Sequence, residues 1–302
     1  MTHLTCCFVA TSALLCVTVL ASRAAAQYAA AVVSYNAGAT PESGFTMPFA
    51  AIGSPERFTG EGSFPSVVSP FSPPFLASEI VSVGEGGQIT LRLSHYAIPQ
   101  ASGPEIGVFE NLLVVDTSYP NGVAGSPAST FGIDSALVDV SADGTNWVSL
   151  GNIAFDVPAN GYTDVIDPFA TTAGSVTSDF QKPFTGNLNS FSGLRYFDAG
   201  DPDIVDLLAG SGGGTWLDIS NTGLAQVGFI RFSATDDLNA TSRLNFELDA
   251  VSISRAAMGA AIVPEPAAII VLGLASSCGS LARRRHRRGV VSHQATEFQP
   301  GE

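Results

Sequence analysis

Between Gln27 and Ile262 the chain contains no cysteine. Its four cysteines, Cys6, Cys7, Cys16 and Cys278, all lie in two apolar segments near the ends. That excludes a disulfide framework from the body, which must rely on a hydrophobic core; about 235 residues can bury a sufficient one. Histidine is equally scarce, since only His95 falls in the body, with His3, His286 and His293 outside it. A zinc site of His and Cys ligands therefore lacks its donors there. A Ser-His-Asp triad could use only His95, in the polar stretch Leu93 to Gln100, where a hydrogen-bonded loop histidine is the simpler reading. Lysine occurs once, at Lys182, and charged residues make up 13 % of the chain, against roughly 25 % in an ordinary domain. Coiled coils and helical bundles need more charge than this. Bases are the scarcer sign: 27 acids face 13 bases, a net charge of −14. Between Gln27 and Ile262 there are 24 acids and 7 bases, or −17. So acidic a body repels phosphate backbones, which excludes nucleic-acid binding. The residues in good supply are Gly (31), Pro (18) and Phe (19), a composition suited to a turn-rich β protein.

The two ends read as addresses. Leu4 to Leu20 is an apolar run of signal-peptide length, and Ala24-Ala25-Ala26 supplies a small-residue cleavage site. Residues 1–26 are thus expected to be a signal peptide, with Gln27 the first mature residue. A retained N-terminal anchor is the competing reading, because the leading segment has no Lys or Arg before its apolar run. At the other end Val263-Pro264-Glu265-Pro266 precedes an apolar stretch, 267–282, and then Arg283, Arg284, Arg285, Arg287 and Arg288 around His286. Sixteen residues of helix reach about 24 Å, enough to span if the bilayer thins or the arginines snorkel. The arginine block would stop transfer and stay cytoplasmic, leaving the body on the far side of the inner membrane. The prolines keep the helix from running backwards and leave an extended tripeptide.

This tripartite end resembles the PEP-CTERM sorting signal of Gram-negative cell-surface proteins. Pro264, Glu265 and Pro266 match the signature tripeptide, the apolar span follows, and the basic cluster closes it. The resemblance implies that an exosortase, a membrane-embedded cysteine transpeptidase-like enzyme, processes the signal. The product would pass to the cell surface or an extracellular polysaccharide matrix. The chain departs from the usual pattern in one respect: Gly289 to Glu302 adds fourteen residues after the arginines.

The body is expected to be all-β. Gln88–Ser94 alternates so that Ile89, Leu91 and Leu93 share a face, and Ala136–Ser141 does the same with Ala136, Val138 and Val140. Phe246–Ile253 puts Phe246, Leu248, Ala250 and, past a bulge, Ile253 on one side. Further strands are expected at 32–35, 80–83, 106–109, 112–115, 147–152 and 227–233. Gly84-Glu85-Gly86-Gly87, Asp143-Gly144 and Asn160-Gly161 mark turns. Many short strands with Gly/Pro turns imply a single jelly-roll-type β-sandwich over 28–255. Ala154 to Leu224 reads as long loops over one end of it, and 256–266 as a tether. The segments Val81–Leu91, Gly107–Asn111, Val138–Trp147 and Phe246–Val251 resemble those of PEP-CTERM surface proteins with a galactose-binding-like, discoidin-type body. The implication extends to fold and not to activity.

Several constellations could carry chemistry. Asp198, Asp201, Asp203 and Asp206 crowd nine residues, and such carboxylates repel unless a cation such as Ca²⁺ lies among them. Their spacing is not that of an EF-hand, and a solvated acidic loop is the alternative. The discoidin-type resemblance implies a second calcium position at Glu247 or Asp249, with Glu110 nearby; alternation makes plain solvent exposure of both an equal alternative. Gly210–Gly214 lacks the Lys-Ser/Thr of a phosphate loop. Trp216, beside that glycine run, is the candidate for stacking on a sugar ring, whereas Trp147 is expected to enter the core. With no histidine pair, no cysteine and no nucleophile elbow in the body, the expected role is a non-catalytic surface or matrix protein that binds carbohydrate or a matrix polymer. The alternatives are a polysaccharide hydrolase using a carboxylate pair and a purely structural coat component.

Overall fold

The computed structural model describes residues 27–62, 66–131, 134–234 and 245–262. The expected signal peptide, the Pro264-Glu265-Pro266 motif, the apolar span and the arginine block lie outside the described residues. No described helix is long and apolar enough to cross a membrane.

Ten strands occur among the described residues: β1 (Ala29–Asn36), β2 (Val81–Val83), β3 (Gln88–Ala97), β4 (Ile106–Glu110), β5 (Asp134–Ser141), β6 (Trp147–Phe155), β7 (Thr215–Leu217), β8 (Val227–Ser233), β9 (Phe246–Ile253) and β10 (Met258–Ala261). They form two antiparallel sheets. The larger has the order β1-β3-β8-β5-β6, and the smaller β2-β9-β4-β7. The long β3 offers one edge to two partners: β1 pairs along Gln88–Leu93, and β10 pairs near His95–Ala97. This is a two-sheet β-sandwich.

Alternation sets the inner faces. Ile89, Leu91 and Leu93 of β3, and Ala136, Val138 and Val140 of β5, meet Ile106 and Val108 of β4 and Leu248 of β9 in one apolar cluster drawn from both sheets. Phe155, Phe232 and Phe246 pack ring to ring within it, with centroids 5.0–6.1 Å apart. In β9 the bulge falls earlier than the sequence suggests. Pairing with β4 slips between Phe109 and Glu110, so Val251 joins Ile253 in the central cluster and Ala250 does not. Trp147 also departs from expectation. It is half-buried on the outer side of β6, under the Arg231 guanidinium at 4.2 Å. Arg231 itself donates from Nε and Nη2 to one oxygen of Asp139.

The expected tether is partly strand. Residues 256–262 belong to the body: Met258–Ala261 form β10, and Ile98 and Ile262 donate backbone N–H groups to Ala257 and Ser94. Composition misled here because small residues are what this edge needs. A Cβ on Gly259 would meet the Ile98 side chain at 2.8 Å.

The outer face of the smaller sheet is covered. Phe109 of β4 points away from the central cluster and packs edge-on to Phe180 and Trp216. Gly107 lies beneath the Trp216 ring, where any Cβ would collide with it. The covering segment, 156–214, holds a short helix α1 (Ile204–Leu208), and its Phe191, Tyr196 and Ile204 join Phe71 and Val114 from outside the segment in a second apolar cluster. The segment read as loops therefore lies over a sheet face and shares a second apolar cluster with Phe71, Val114, Ala124 and Ala128.

Candidate functional site

The site lies where the start of β5, the end of β4 and the start of β9 converge. Asp134 of β5 and Glu247 of β9, together with residues from 42–61, 71–75 and 111–113, Phe131 and Asn245, line a cavity of about 560 Å³, within the range of small-molecule sites. Two kinds of group line it. Phe45, Phe71, Phe75 and Phe131 supply aromatic surface; Phe75 and Phe131 are 50 % and 78 % exposed, and Phe45 meets Phe75 edge-on at 6.0 Å. Glu42, Glu61, Asp134 and Glu247 supply carboxylates, with Asn111 among them. None of the described lining residues is Lys, Arg or His.

Two of the carboxylates are tied to the frame. Asn111 donates its side-chain amide to Glu247 Oε2 at 3.0 Å, and the Glu247 backbone N–H donates to Asp134 Oδ2 at 3.2 Å. Burial pushes the Asp134 carboxyl up to about 7; the Glu247 charge adds to this and the Glu247 N–H bond opposes it. Glu247 is also raised, by burial first, with the Asn111 bond opposing and the Glu42 charge adding. Glu110, one residue before Asn111, is 5 % exposed, and neither of its carboxylate oxygens has a hydrogen-bond partner. Burial, then the charges of Asp134 and Glu247, hold its pKa well above the usual carboxylate range. A buried carboxylate without partners survives as the neutral acid or beside a cation.

Asp249, two residues along the same face of β9 from Glu247, belongs to a different group. It is 2 % exposed and accepts the Glu56 N–H at 3.1 Å. Burial raises its pKa well above normal, and the charges of Glu56 and Glu79 add to that. The expectation that Glu247 and Asp249 escape the apolar face holds, but covering segments put a wall where solvent was one reading.

The four aspartates of 198–206 do not converge. Asp203 caps α1, accepting Asp206 N–H on Oδ1 at 2.7 Å and Asp198 N–H on Oδ2 at 2.9 Å. Asp198 pairs with Arg195 at 3.3 Å, and Asp201 and Asp206 are exposed. Among the described residues no three His, Cys, Asp or Glu side chains are grouped to hold a metal ion. Trp216 donates its indole N–H to Gly213 O at 2.9 Å and borders a smaller cavity of about 380 Å³, floored by Val148, Leu150 and Ile153. His95 sits on β3, buried, with Nδ1 3.1 Å from Ser94 Oγ.

Sequence reasoning named Glu247 and Glu110 but missed Asp134 and the four phenylalanines. Asp134 opens a strand in a chain rich in acids, and only tertiary pairing with Glu247 distinguishes it. Fold and site together define a two-sheet antiparallel β-sandwich with an acidic, aromatic-walled cavity at one end. No family model matches the chain, and no curated protein matches it.

Proposed function

We propose that the chain is an exported, non-catalytic surface or matrix protein whose β-sandwich binds carbohydrate or another matrix polymer in the cavity at Asp134 and Glu247. The observation that carries this reading is the pairing of exposed phenyl rings with fixed carboxylate and amide groups in one concavity. Sugar recognition needs that combination: flat apolar faces to stack on, and acceptors held in place for hydroxyl groups. Trp216, beside the smaller cavity, is the secondary aromatic candidate. Export rests on the two ends: residues 1–26 as a cleaved leader, Pro264, Glu265 and Pro266 as the motif an exosortase reads, 267–282 as a membrane-anchored intermediate, and the arginines as its cytoplasmic stop.

A hydrolase is the reading to beat, because raised carboxyl groups are what general acids require. Glycoside hydrolysis, however, needs one carboxyl protonated and its partner ionised. Here burial pushes Glu110, Asp134 and Glu247 the same way, so their surroundings do not split these three into an acid and a base. Incubating the purified protein with extracellular polysaccharides while measuring both retention and reducing-sugar release separates the two. Retention without release is expected; catalytic release from any retained polymer would replace binding with hydrolysis.

A further inference from the structure

We infer that Gln27 closes into an N-terminal lactam, a pyroglutamyl residue, seated against the end of β9. This inference rests on the export reading, in which cleavage after Ala26 leaves Gln27 as the first residue.

The seat comes from backbone pairing. The Ile253 N–H donates to Gln27 O at 2.7 Å, Tyr28 pairs antiparallel with Ser252, and the Ser94 N–H donates to Tyr28 O at 2.9 Å. The first two mature residues therefore join β9 of the smaller sheet to β3 of the larger. Gln27 is buried there, 6 % exposed. In the uncleaved chain its nitrogen is a neutral amide. Cleavage turns that nitrogen into an ammonium beside a buried side chain, and charge is costly to take out of water. A terminus without charge suits the position better.

The side chain supplies the means. Gln27 Oε1 is buried without a hydrogen-bond partner, and Nε2 donates to the Met258 sulfur, a weak acceptor. Gln88 and Gln100, by contrast, donate their amides to oxygen, at Ser233 Oγ and Ile98 O. No donor on Oε1 holds the Gln27 amide carbonyl away from the backbone nitrogen of its own residue. The uncharged α-amine attacks Cδ to close a five-membered ring. The N–Cδ bond forms, the Cδ–Nε2 bond breaks, and Nε2 takes the proton that the amine gives up and leaves as ammonia. No oxidant or second reactant is consumed, and groups tethered this closely react as though highly concentrated. The product makes the nitrogen an amide again and expels the poorly bonded Nε2 from the interior. The carbonyls of Gln27 and Tyr28 are untouched, so the bonds from Ile253 and Ser94 are kept.

The test uses exported protein recovered from its native cells, with free amines tagged by reductive methylation before any digestion, so that only a lactam already present escapes the tag. The expected N-terminal peptide starts at position 27, carries no tag and is lighter by one ammonia than the open glutamine form. Gln27→Ala, which cannot cyclise, should be tagged in full. Pyroglutamyl peptidase then reads the seat: it should remove residue 27 from the isolated peptide and act at least about tenfold more slowly on the native protein, where the bond lies in paired backbone. A tagged Gln27 overturns the inference and leaves export standing. A mature terminus elsewhere overturns the inference together with the cleavage site beneath it. A lactam removed equally fast from native protein and peptide overturns the seat against β9.

Discussion

Replacing Asp134 by Asn should make the protein more stable at pH 8. Asp134 has its carboxyl raised from 3.8 to about 7 by burial and by Glu247. Between those values the folded state holds a proton that the unfolded chain has released. Its contribution is therefore complete below about pH 4 and is lost as pH rises through 7, so the wild type weakens across that window. Three units correspond to about 4 kcal/mol at 1.36 kcal/mol per unit; water on the cavity side screens part of this, leaving about 2–4 kcal/mol. The asparagine oxygen can still accept the Glu247 N–H, which in the wild type lies 3.2 Å from Asp134 Oδ2, so the frame is retained. Urea unfolding at pH 4, 6 and 8 reads the effect. With a slope of about 2–3 kcal/mol per molar for a body of this size, the variant's midpoint should exceed the wild type's by about 1 M at pH 8 and match it at pH 4. A residual slope is expected in the variant, because Glu110 and Glu247 are raised as well. A variant less stable than wild type at pH 8, or a gap independent of pH, would refute the reasoning.

Asp139→Ala should cost about 2 kcal/mol in chemical denaturation, because it strips a largely buried guanidinium of its partner in the stack over Trp147. A double-mutant cycle with Arg231→Ala should show the two losses to be strongly coupled. Asp203→Ala should cost about 1 kcal/mol through loss of the α1 cap, by the same amount with calcium or with chelator. A cost that appears only with calcium would return Asp203 to the metal ligands. Mass spectrometry of protein recovered from its native cells should find Gln27 as the first residue and a C-terminus near Pro264–Pro266. Both termini intact in the cytosol would end the export account.

Much of the frame is legible in the sequence, because period-two alternation is a direct consequence of a strand with one wet and one dry face. Ile89-Leu91-Leu93 and Ala136-Val138-Val140 declare their inner faces without help from the structure. Asp143-Gly144 declares its turn: Gly144 takes φ +76°, and Asp143 accepts the Thr145 and Asn146 N–H groups that fix the β5–β6 corner. What is not legible depends on partners distant in the chain. Strands β7 and β10 are three and four residues long, too short for a period, and exist because β4 and β3 offer them edges. Trp147 looks like core until Arg231, 84 positions later, provides a cation for its outer face. The cavity follows the same rule. Phe45, Phe75, Phe131 and Asp134 are scattered across ninety positions, and no local pattern marks them as neighbours. Glu247 was visible because it alternates with Phe246 and Leu248; its role against Asn111 and Asp134 was not.

The most direct test of the binding account is retention on a glycan array by the wild-type protein beside a Phe75→Ala/Phe131→Ala variant. Both rings are at least half exposed, so the variant should fold and melt like the wild type. The account predicts that the wild type is held by a defined set of glycans and that the variant loses most of that retention. A wild type held by no glycan, or a variant held as firmly as the wild type, would contradict it.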